Sequence, residues 1–137
     1  MVECIESNAR FGDLMDILKK LTLLENEAAT FGFKWENPKQ IMAQIRSELI
    51  EIETHLENPM EKNKLQEEIG DLLHAAFSLC VFCKFDASKT LNDSIQKFER
   101  RFKETQKLAN NDGLVDLNGQ PFERLMAFWN KAKESVG

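Results

Sequence analysis

Apolar residues recur every three or four positions through most of the chain, and no segment shows the sustained alternation of apolar and polar residues that is typical of a β-strand. The spacing therefore predicts an all-α fold. It predicts five helices, at about residues 11–30, 38–57, 59–84, 87–109 and 121–135. Residues 1–12 are expected to form a flexible lead-in before the first helix.

Capping residues mark several of the predicted helix boundaries. Asn37 is followed by a proline and, three residues on, by Gln40, a combination that is typical of the first turn of a helix. The same pattern recurs over residues 58–61, and Asp86 is a further candidate N-cap. Gly32 fits a helix-ending residue with a positive φ angle.

The second and third predicted helices are joined by a short turn, so they should pack as antiparallel neighbours. From Leu65 onward the third helix is apolar on most sides, which indicates that it is the central and most buried helix. The apolar stripe of the second helix comprises Ile41, Ile45, Leu49, Ile52 and Leu56.

Two pairs of carboxylates, each spaced i,i+3, lie on these neighbouring helices. Glu48 and Glu51 border the apolar stripe of the second helix, and Glu68 and Asp71 lie near the start of the third. Antiparallel packing allows both pairs to meet at one level, where the like charges would repel unless a cation lay between them. Carboxylate oxygens suit Mg²⁺, Mn²⁺ or Ca²⁺. Each pair alone is typical of a solvated helix face, and only their combination on adjacent helices favours a metal site.

Basic residues that could neutralise a polyphosphate are the next candidates. Lys97 and Arg101, four residues apart, flank the apolar stripe of the fourth helix and are typical either of a solvated face or of phosphate binding. The sequence contains no glycine-rich phosphate loop. Trp129 is either a core residue or a base-stacking residue. Both histidines, and the pair Cys80 and Cys83, are interpreted as structural.

Composition narrows the functional classes. The chain has 137 residues, which indicates one domain, and its net charge of -5 argues against a nucleic-acid-binding surface. The most apolar run, from Leu72 to Phe85, is interrupted by His74 and Lys84 and is shorter than the roughly 20 residues that span a bilayer. Glu3 and Glu6 stand where a secretory signal carries positive charge. We therefore expect a cytoplasmic protein that does not contact membranes.

Three runs of the sequence carry a resemblance to a known family. SELIEIE (residues 47–53), EEIGDLL (67–73) and KFERRF (97–102) together resemble the MazG family of nucleoside triphosphate pyrophosphohydrolases, above all the catalytic C-terminal half of its two-domain members. The resemblance extends from about Leu18 to Lys133. It implies a four-helix-bundle-like all-α NTP pyrophosphatase fold with an additional C-terminal helix, formed by a single domain over residues 13–137.

The resemblance also implies an activity and a set of site residues. The activity is Mg²⁺-dependent cleavage of a nucleoside triphosphate between the α- and β-phosphates by a homodimer, with Mn²⁺ as a substitute metal. The implied metal ligands are Glu48, Glu51, Glu68 and Asp71. The implied catalytic residues are Glu68 and Glu67, the latter as a carboxylate that orients water. The implied substrate-binding residues are Lys64, Lys97, Arg100, Arg101, Trp129 and Lys133.

Two residues depart from the family's pattern. His74 follows GDLL where Phe is common, which affects packing, and Gln44 stands near a position that is often basic, which affects the phosphate site.

Two other interpretations are consistent with the same motifs. One is a pyrophosphatase of the same fold that prefers pyrimidine deoxynucleotides such as dCTP or dUTP. The other is a non-catalytic helical dimer that binds nucleotide or a protein partner.

Overall fold

The computed structural model describes the backbone of residues 2–58 and 62–137, and the side chains within those ranges from residue 13 onward except at position 15. This described part contains five helices and no strand, so the prediction of an all-α fold is confirmed. None of these helices combines the length and the apolar character needed to cross a membrane. The helices are α1 (Val2–Phe31), α2 (Pro38–Leu56), α3 (Lys62–Phe82), α4 (Ala87–Asn111) and α5 (Phe122–Val136).

Predicted N-caps account for the starts of α2 and α4. The Asn37 side chain accepts a hydrogen bond from the N–H of Gln40 at 3.1 Å, and the Gln40 side chain accepts one from the N–H of Glu36 at 2.8 Å. The Asp86 side chain accepts a hydrogen bond from the N–H of Lys89 at 2.7 Å. Both N-cap predictions are confirmed.

Two other predicted boundaries have different outcomes. α1 begins at Val2 instead of the expected residue 11, so the backbone of residues 2–12 is helical. The cap predicted over residues 58–61 falls mainly on residues 59–61, which lie outside the described part of the chain.

Four helices are followed by a residue with a positive φ angle, and Gly137 after α5, with a φ of 80°, is one of these residues. Gly32 follows α1 with a φ of 103°, and the N–H of Phe33 donates to the carbonyl of Ala28 at 2.8 Å. Gly113 ends α4 in the same way, with a φ of 84°. Lys84 takes the corresponding position after α3 with a φ of 67°. A side chain in this conformation costs about 1–2 kcal/mol, so the turn after α3 is strained.

The chain forms two compact units, Met1–Thr90 and Leu91–Gly137. In the first unit α3 contacts both α1 and α2, and its contact with α2 is the more extensive. His55, near the end of α2, is hydrogen-bonded to Glu68, near the start of α3. The predicted antiparallel pairing of these two helices is therefore confirmed.

The buried face of α2 differs from the predicted stripe. Ile41, Glu48 and Ile52 are buried, whereas Leu49 and Leu56 are exposed. Because an α-helix turns about 100° per residue, the observed face is centred about 40° from the predicted one. Both faces satisfy the same apolar periodicity, and packing against α3 selects the face that contains Glu48. The prediction that Glu48 borders the buried stripe is therefore wrong, because this residue lies within it.

α3 has a central position in its unit but is not buried on most sides. Ala75, Ser78 and Cys80 are buried, whereas Ile69 and Leu73 are 41% and 55% exposed. The prediction of a central helix is confirmed by its contacts with α1 and α2. The expectation that it is buried on most sides is wrong for the single chain, because part of its apolar surface remains exposed.

The second unit contains most of α4 and all of α5. Its buried residues include Thr105, Ala109, Phe128 and Ala132. Arg124 on α5 donates hydrogen bonds to the side chains of Asp112 and Gln120, both at 2.8 Å. Arg124 is thus hydrogen-bonded to residues at both ends of the loop between α4 and α5.

Candidate metal and nucleotide-binding residues

Glu48 is the most deeply buried of the predicted metal ligands, with 6% of its surface exposed. Its Oε1 accepts a hydrogen bond from Nε2 of Gln44, one turn earlier on α2, at 2.7 Å. Oε2 is also buried, and no described residue donates to it. A buried polar atom without a partner costs about 1–3 kcal/mol, and more when charged. A cation bound beside Oε2 of Glu48 would therefore stabilise the buried carboxylate.

Glu68 is held at the interface between α2 and α3. Its Oε2 is hydrogen-bonded to Nδ1 of His55, and the Glu68 and His55 side chains are 13% and 19% exposed. The adjacent residue Glu67, predicted to orient water, is exposed. The two neighbouring glutamates thus occupy different surroundings, and the roles assigned to them stay predictions.

Glu51 and Asp71, the remaining predicted ligands, are exposed. Among the side chains that the structure describes, no three His, Cys, Asp or Glu residues are grouped closely enough to hold a metal ion. Exposed side chains change rotamer within nanoseconds, whereas Glu48 and Glu68 are each held by a hydrogen bond. The assignment of the four carboxylates as ligands to one ion stays a prediction, and it requires Glu51 and Asp71 to turn.

In the second unit Arg101 and Trp129 are in contact. The Arg101 guanidinium lies 6.0 Å from the centroid of the Trp129 ring, and its Nε donates to the carbonyl of Gly137 at 3.1 Å. Phe98 lies beside Trp129 with 5.8 Å between ring centroids, and it stacks on Phe102 at 6.0 Å. A guanidinium and an indole in contact suit the recognition of a phosphate and of a base.

The other predicted substrate-binding residues are basic and exposed: Lys64, Lys97, Arg100 and Lys133. Lys64 lies on the first turn of α3 in the first unit. Glu99, an acidic neighbour of Lys97 on α4, is instead bonded to Lys103 at 2.7 Å. The hydrogen bond and the charge of Lys103 hold the pKa of Glu99 below its usual range. Glu99 is thus engaged by a lysine outside the predicted site.

Comparison with protein families gives a match over α2, α3 and most of α4. Residues 36–105, just over half of the 137-residue chain, match the model of the MazG nucleotide pyrophosphohydrolase domain. The chain belongs to the MazG family. The matched stretch contains all four predicted metal ligands of this MazG chain, together with Lys97, Arg100 and Arg101.

Individual relatives agree with the MazG assignment. The Thermotoga maritima protein named nucleoside triphosphate pyrophosphohydrolase/pyrophosphatase MazG is 32% identical over 131 residues, which cover 93% of this chain and 49% of the relative. An Escherichia coli nucleoside triphosphate pyrophosphohydrolase is 27% identical over 117 residues, which cover 85% of this chain and 44% of the relative. The MazG chain thus spans about half the length of these curated relatives.

Two contacts between a histidine and a glutamate, both among the described residues of the MazG chain, were not predicted. His55 contacts Glu68, and Nε2 of His74 lies 2.9 Å from Oε1 of Glu25, which also accepts a hydrogen bond from Ser78 at 2.6 Å. A signal for His55 exists in the sequence, because it lies two turns after Glu48 on the same face of α2. No local spacing indicates the partner of His74, which comes from α1.

Proposed function

We propose that this MazG domain hydrolyses nucleoside triphosphates between the α- and β-phosphates, releasing nucleoside monophosphate and pyrophosphate, and that it depends on Mg²⁺ with Mn²⁺ as a substitute. Family membership supports the reaction class. The structural observation that carries the metal dependence is Oε2 of Glu48, a buried carboxylate oxygen without a described donor. A buried carboxylate is stable only when its charge is compensated, and a divalent cation would compensate it.

Four carboxylates would hold the cation: Glu48, Glu51, Glu68 and Asp71. A donor set made only of carboxylate oxygens suits Mg²⁺ better than it suits metals that prefer nitrogen or sulfur. The two pairs lie on α2 and α3, which pack against each other, and the exposed side chains of Glu51 and Asp71 would turn to complete the set. When bound, the metal polarises phosphate oxygens and lowers the pKa of a coordinated water.

Residues of the chain would also bind and orient the triphosphate. Lys97 and Arg101 would neutralise phosphate oxygens, Arg101 through a planar donor pair that matches phosphate geometry. Trp129, already in contact with Arg101, would stack on the base. Glu67 would accept a hydrogen bond from the attacking water and so orient it. The remaining basic residues assigned to the phosphates are Lys64, Arg100 and Lys133.

We also propose that the chain acts as a homodimer in the cytoplasm, where nucleoside triphosphates are abundant. Phe31 and Phe33 are 89% and 81% exposed, and Ile50 on α2 is 65% exposed. A second copy of the chain would remove these apolar side chains from water, which favours association. Light scattering should give the mass of a dimer for the wild type and a weaker dimer for Ile50→Lys. A monomer mass at micromolar concentration would contradict this part of the proposal.

A pyrophosphate-release assay on the whole chain tests the activity. The wild type is incubated with Mg²⁺ and a panel of ribo- and deoxynucleoside triphosphates, and in parallel with EDTA. Glu68→Gln removes a ligand charge while keeping the side-chain shape, so turnover should fall about 100-fold. The matched control is Glu53→Gln, an exposed carboxylate on the same hairpin that should leave turnover unchanged.

Two outcomes of this assay would contradict the proposal. One is the absence of pyrophosphate release from every nucleotide in the presence of metal. The other is full Mg²⁺-dependent turnover by Glu68→Gln. Release confined to dCTP and dUTP would instead select the pyrimidine-specific interpretation of the same chemistry.

A further inference from the structure

His55 contacts a predicted metal ligand from the opposite helix. Its Nδ1 is hydrogen-bonded to Oε2 of Glu68, and both side chains are mostly buried, at 19% and 13% exposed. His55 follows Glu48 by seven residues, about two helical turns, so both lie on the face of α2 that packs against α3. Neither the family match nor the predicted site residues assign a role to this histidine.

The contact has a direction because a carboxylate only accepts hydrogen bonds. Nδ1 of His55 is therefore the protonated nitrogen, and it donates to Oε2 of Glu68. This bond restricts the side-chain torsions of Glu68, so less conformational freedom is lost when a cation binds to its carboxylate. Oε1 of Glu68 takes no part in the hydrogen bond to His55, so it is the oxygen that we assign to a cation.

We propose that His55 is a positioning residue that holds the Glu68 carboxylate ready to bind the divalent cation through Oε1. This inference rests on the proposed function, because it assumes that Glu68 is a metal ligand. Partners that hydrogen-bond to a ligating side chain orient it, and their loss typically lowers metal affinity about 10- to 100-fold. His55 thus acts on metal binding through Glu68 and does not touch the reacting atoms.

Four variants and one probe test the inference. The probe is Mn²⁺, whose dissociation constant is measured by isothermal titration calorimetry on the intact chain. His55→Ala should raise this constant about 10- to 100-fold, because Glu68 loses its donor. His55→Asn should stay close to the wild type, because its amide N–H₂ takes the place of Nδ1. His55→Gln should bind more weakly than His55→Asn, because its amide lies one bond further along the side chain.

His74→Ala is the matched control, because it removes the other contact between a histidine and a glutamate in the same unit. Its partner, Glu25, is not a predicted ligand, so the affinity for Mn²⁺ should not change. Turnover measurements distinguish a positioning role of His55 from a direct part in the reaction. At saturating Mg²⁺ His55→Ala should recover most of the wild-type kcat, whereas at limiting Mg²⁺ its rate should fall with its metal affinity.

The outcomes separate this inference from the function on which it rests. If the wild type binds Mn²⁺ and releases pyrophosphate but His55→Ala binds Mn²⁺ equally tightly, the positioning role is overturned and the function stands. If the wild type neither binds Mn²⁺ nor releases pyrophosphate, both are overturned. If His55→Ala does not fold, His55→Asn and His55→Gln decide, and equal affinities for the two variants would overturn the inference.

Discussion

Glu48 gives the sharpest test of the metal site, because its burial should destabilise the fold when no cation is present. The residue is 6% exposed, and only one of its carboxylate oxygens has a described partner, Nε2 of Gln44 at 2.7 Å. Glu48→Met replaces the carboxylate with an apolar side chain of similar length. We expect this variant to be more stable than the wild type in the presence of EDTA.

Three contributions set the magnitude of the effect. The sulfur and terminal methyl of methionine, which replace the carboxylate, contribute about 1.5 kcal/mol to the free energy of unfolding when they are buried. Removing a buried oxygen without a partner adds about 1–3 kcal/mol. Losing the hydrogen bond from Gln44 subtracts about 1.5–3 kcal/mol, and the exposed Gln44 amide is then hydrated by water. The net expectation is a gain of about 1 kcal/mol in the free energy of unfolding, or a rise in Tm of roughly 3–5 °C for a chain of this size.

Urea unfolding at pH 7 in EDTA, with equal protein concentrations, measures this gain. Glu51→Met is the matched control on the same helix, because Glu51 is exposed and its replacement should change stability by no more than about 0.5 kcal/mol. Adding Mn²⁺ should then stabilise the wild type but not Glu48→Met. A Glu48→Met protein that is less stable than the wild type in EDTA would refute the reasoning, because the carboxylate would already have a favourable partner.

Three further predictions concern contacts outside the metal site. Ser78→Ala should lower the free energy of unfolding in urea by about 1.5–3 kcal/mol, because the buried hydroxyl donates to the Glu25 carboxylate. Lys84→Gly should raise the free energy of thermal unfolding by about 0.5–1 kcal/mol, because a φ of 67° strains any residue with a side chain. Lys103→Met should raise the pKa of Glu99 in an NMR titration, because the hydrogen bond and charge of Lys103 lower it. The Lys103–Glu99 pair therefore stabilises the fold above the ordinary pKa of glutamate, and this contribution is lost as the pH falls through the lowered pKa of Glu99.

Controls for these predictions come from equivalent positions. The control for Ser78→Ala is Ser94→Ala, which should leave stability unchanged because Ser94 is exposed. The control for Lys84→Gly is the opposite change, Gly113→Ala. It should lower stability, because the φ of 84° disfavours a side chain at Gly113 although there is space for one. A neutral Ser78→Ala would mean that the Glu25 bond adds nothing net to stability. A loss of stability in Lys84→Gly would reveal a favourable contact of the lysine side chain. An unchanged Glu99 titration would contradict the assigned cause of its pKa.

Helices and their capped ends could be predicted because those signals act within one turn of the chain. Asn37, Asp86 and Gly32 each satisfy backbone groups no more than five residues away, so the sequence around each suffices. Lys84 is different, because a lysine carries no preference for the left-handed region that its turn requires. The strain there follows from how α3 connects to α4.

The candidate site was harder to predict because it depends on how the helices are rotated. The sequence correctly places Glu48 on the helix that packs against α3. A rotation of α2 by about 40° about its own axis decides whether Glu48 borders the buried face or lies within it. The apolar periodicity of α2 is consistent with both orientations. The contact between His55 and Glu68 depends on the register between α2 and α3, which the spacing along either helix does not contain. Local patterns therefore located the acidic residues, while packing determined their partners.

The most direct test of the whole account is a crystal structure of the chain grown with Mn²⁺ and a non-hydrolysable nucleoside triphosphate, with the metal located by its anomalous scattering. We predict a peak in contact with carboxylate oxygens from both helices of the hairpin, Glu48 or Glu51 on α2 and Glu68 or Asp71 on α3. A peak bound by neither pair, or no bound metal at millimolar Mn²⁺, would contradict the account.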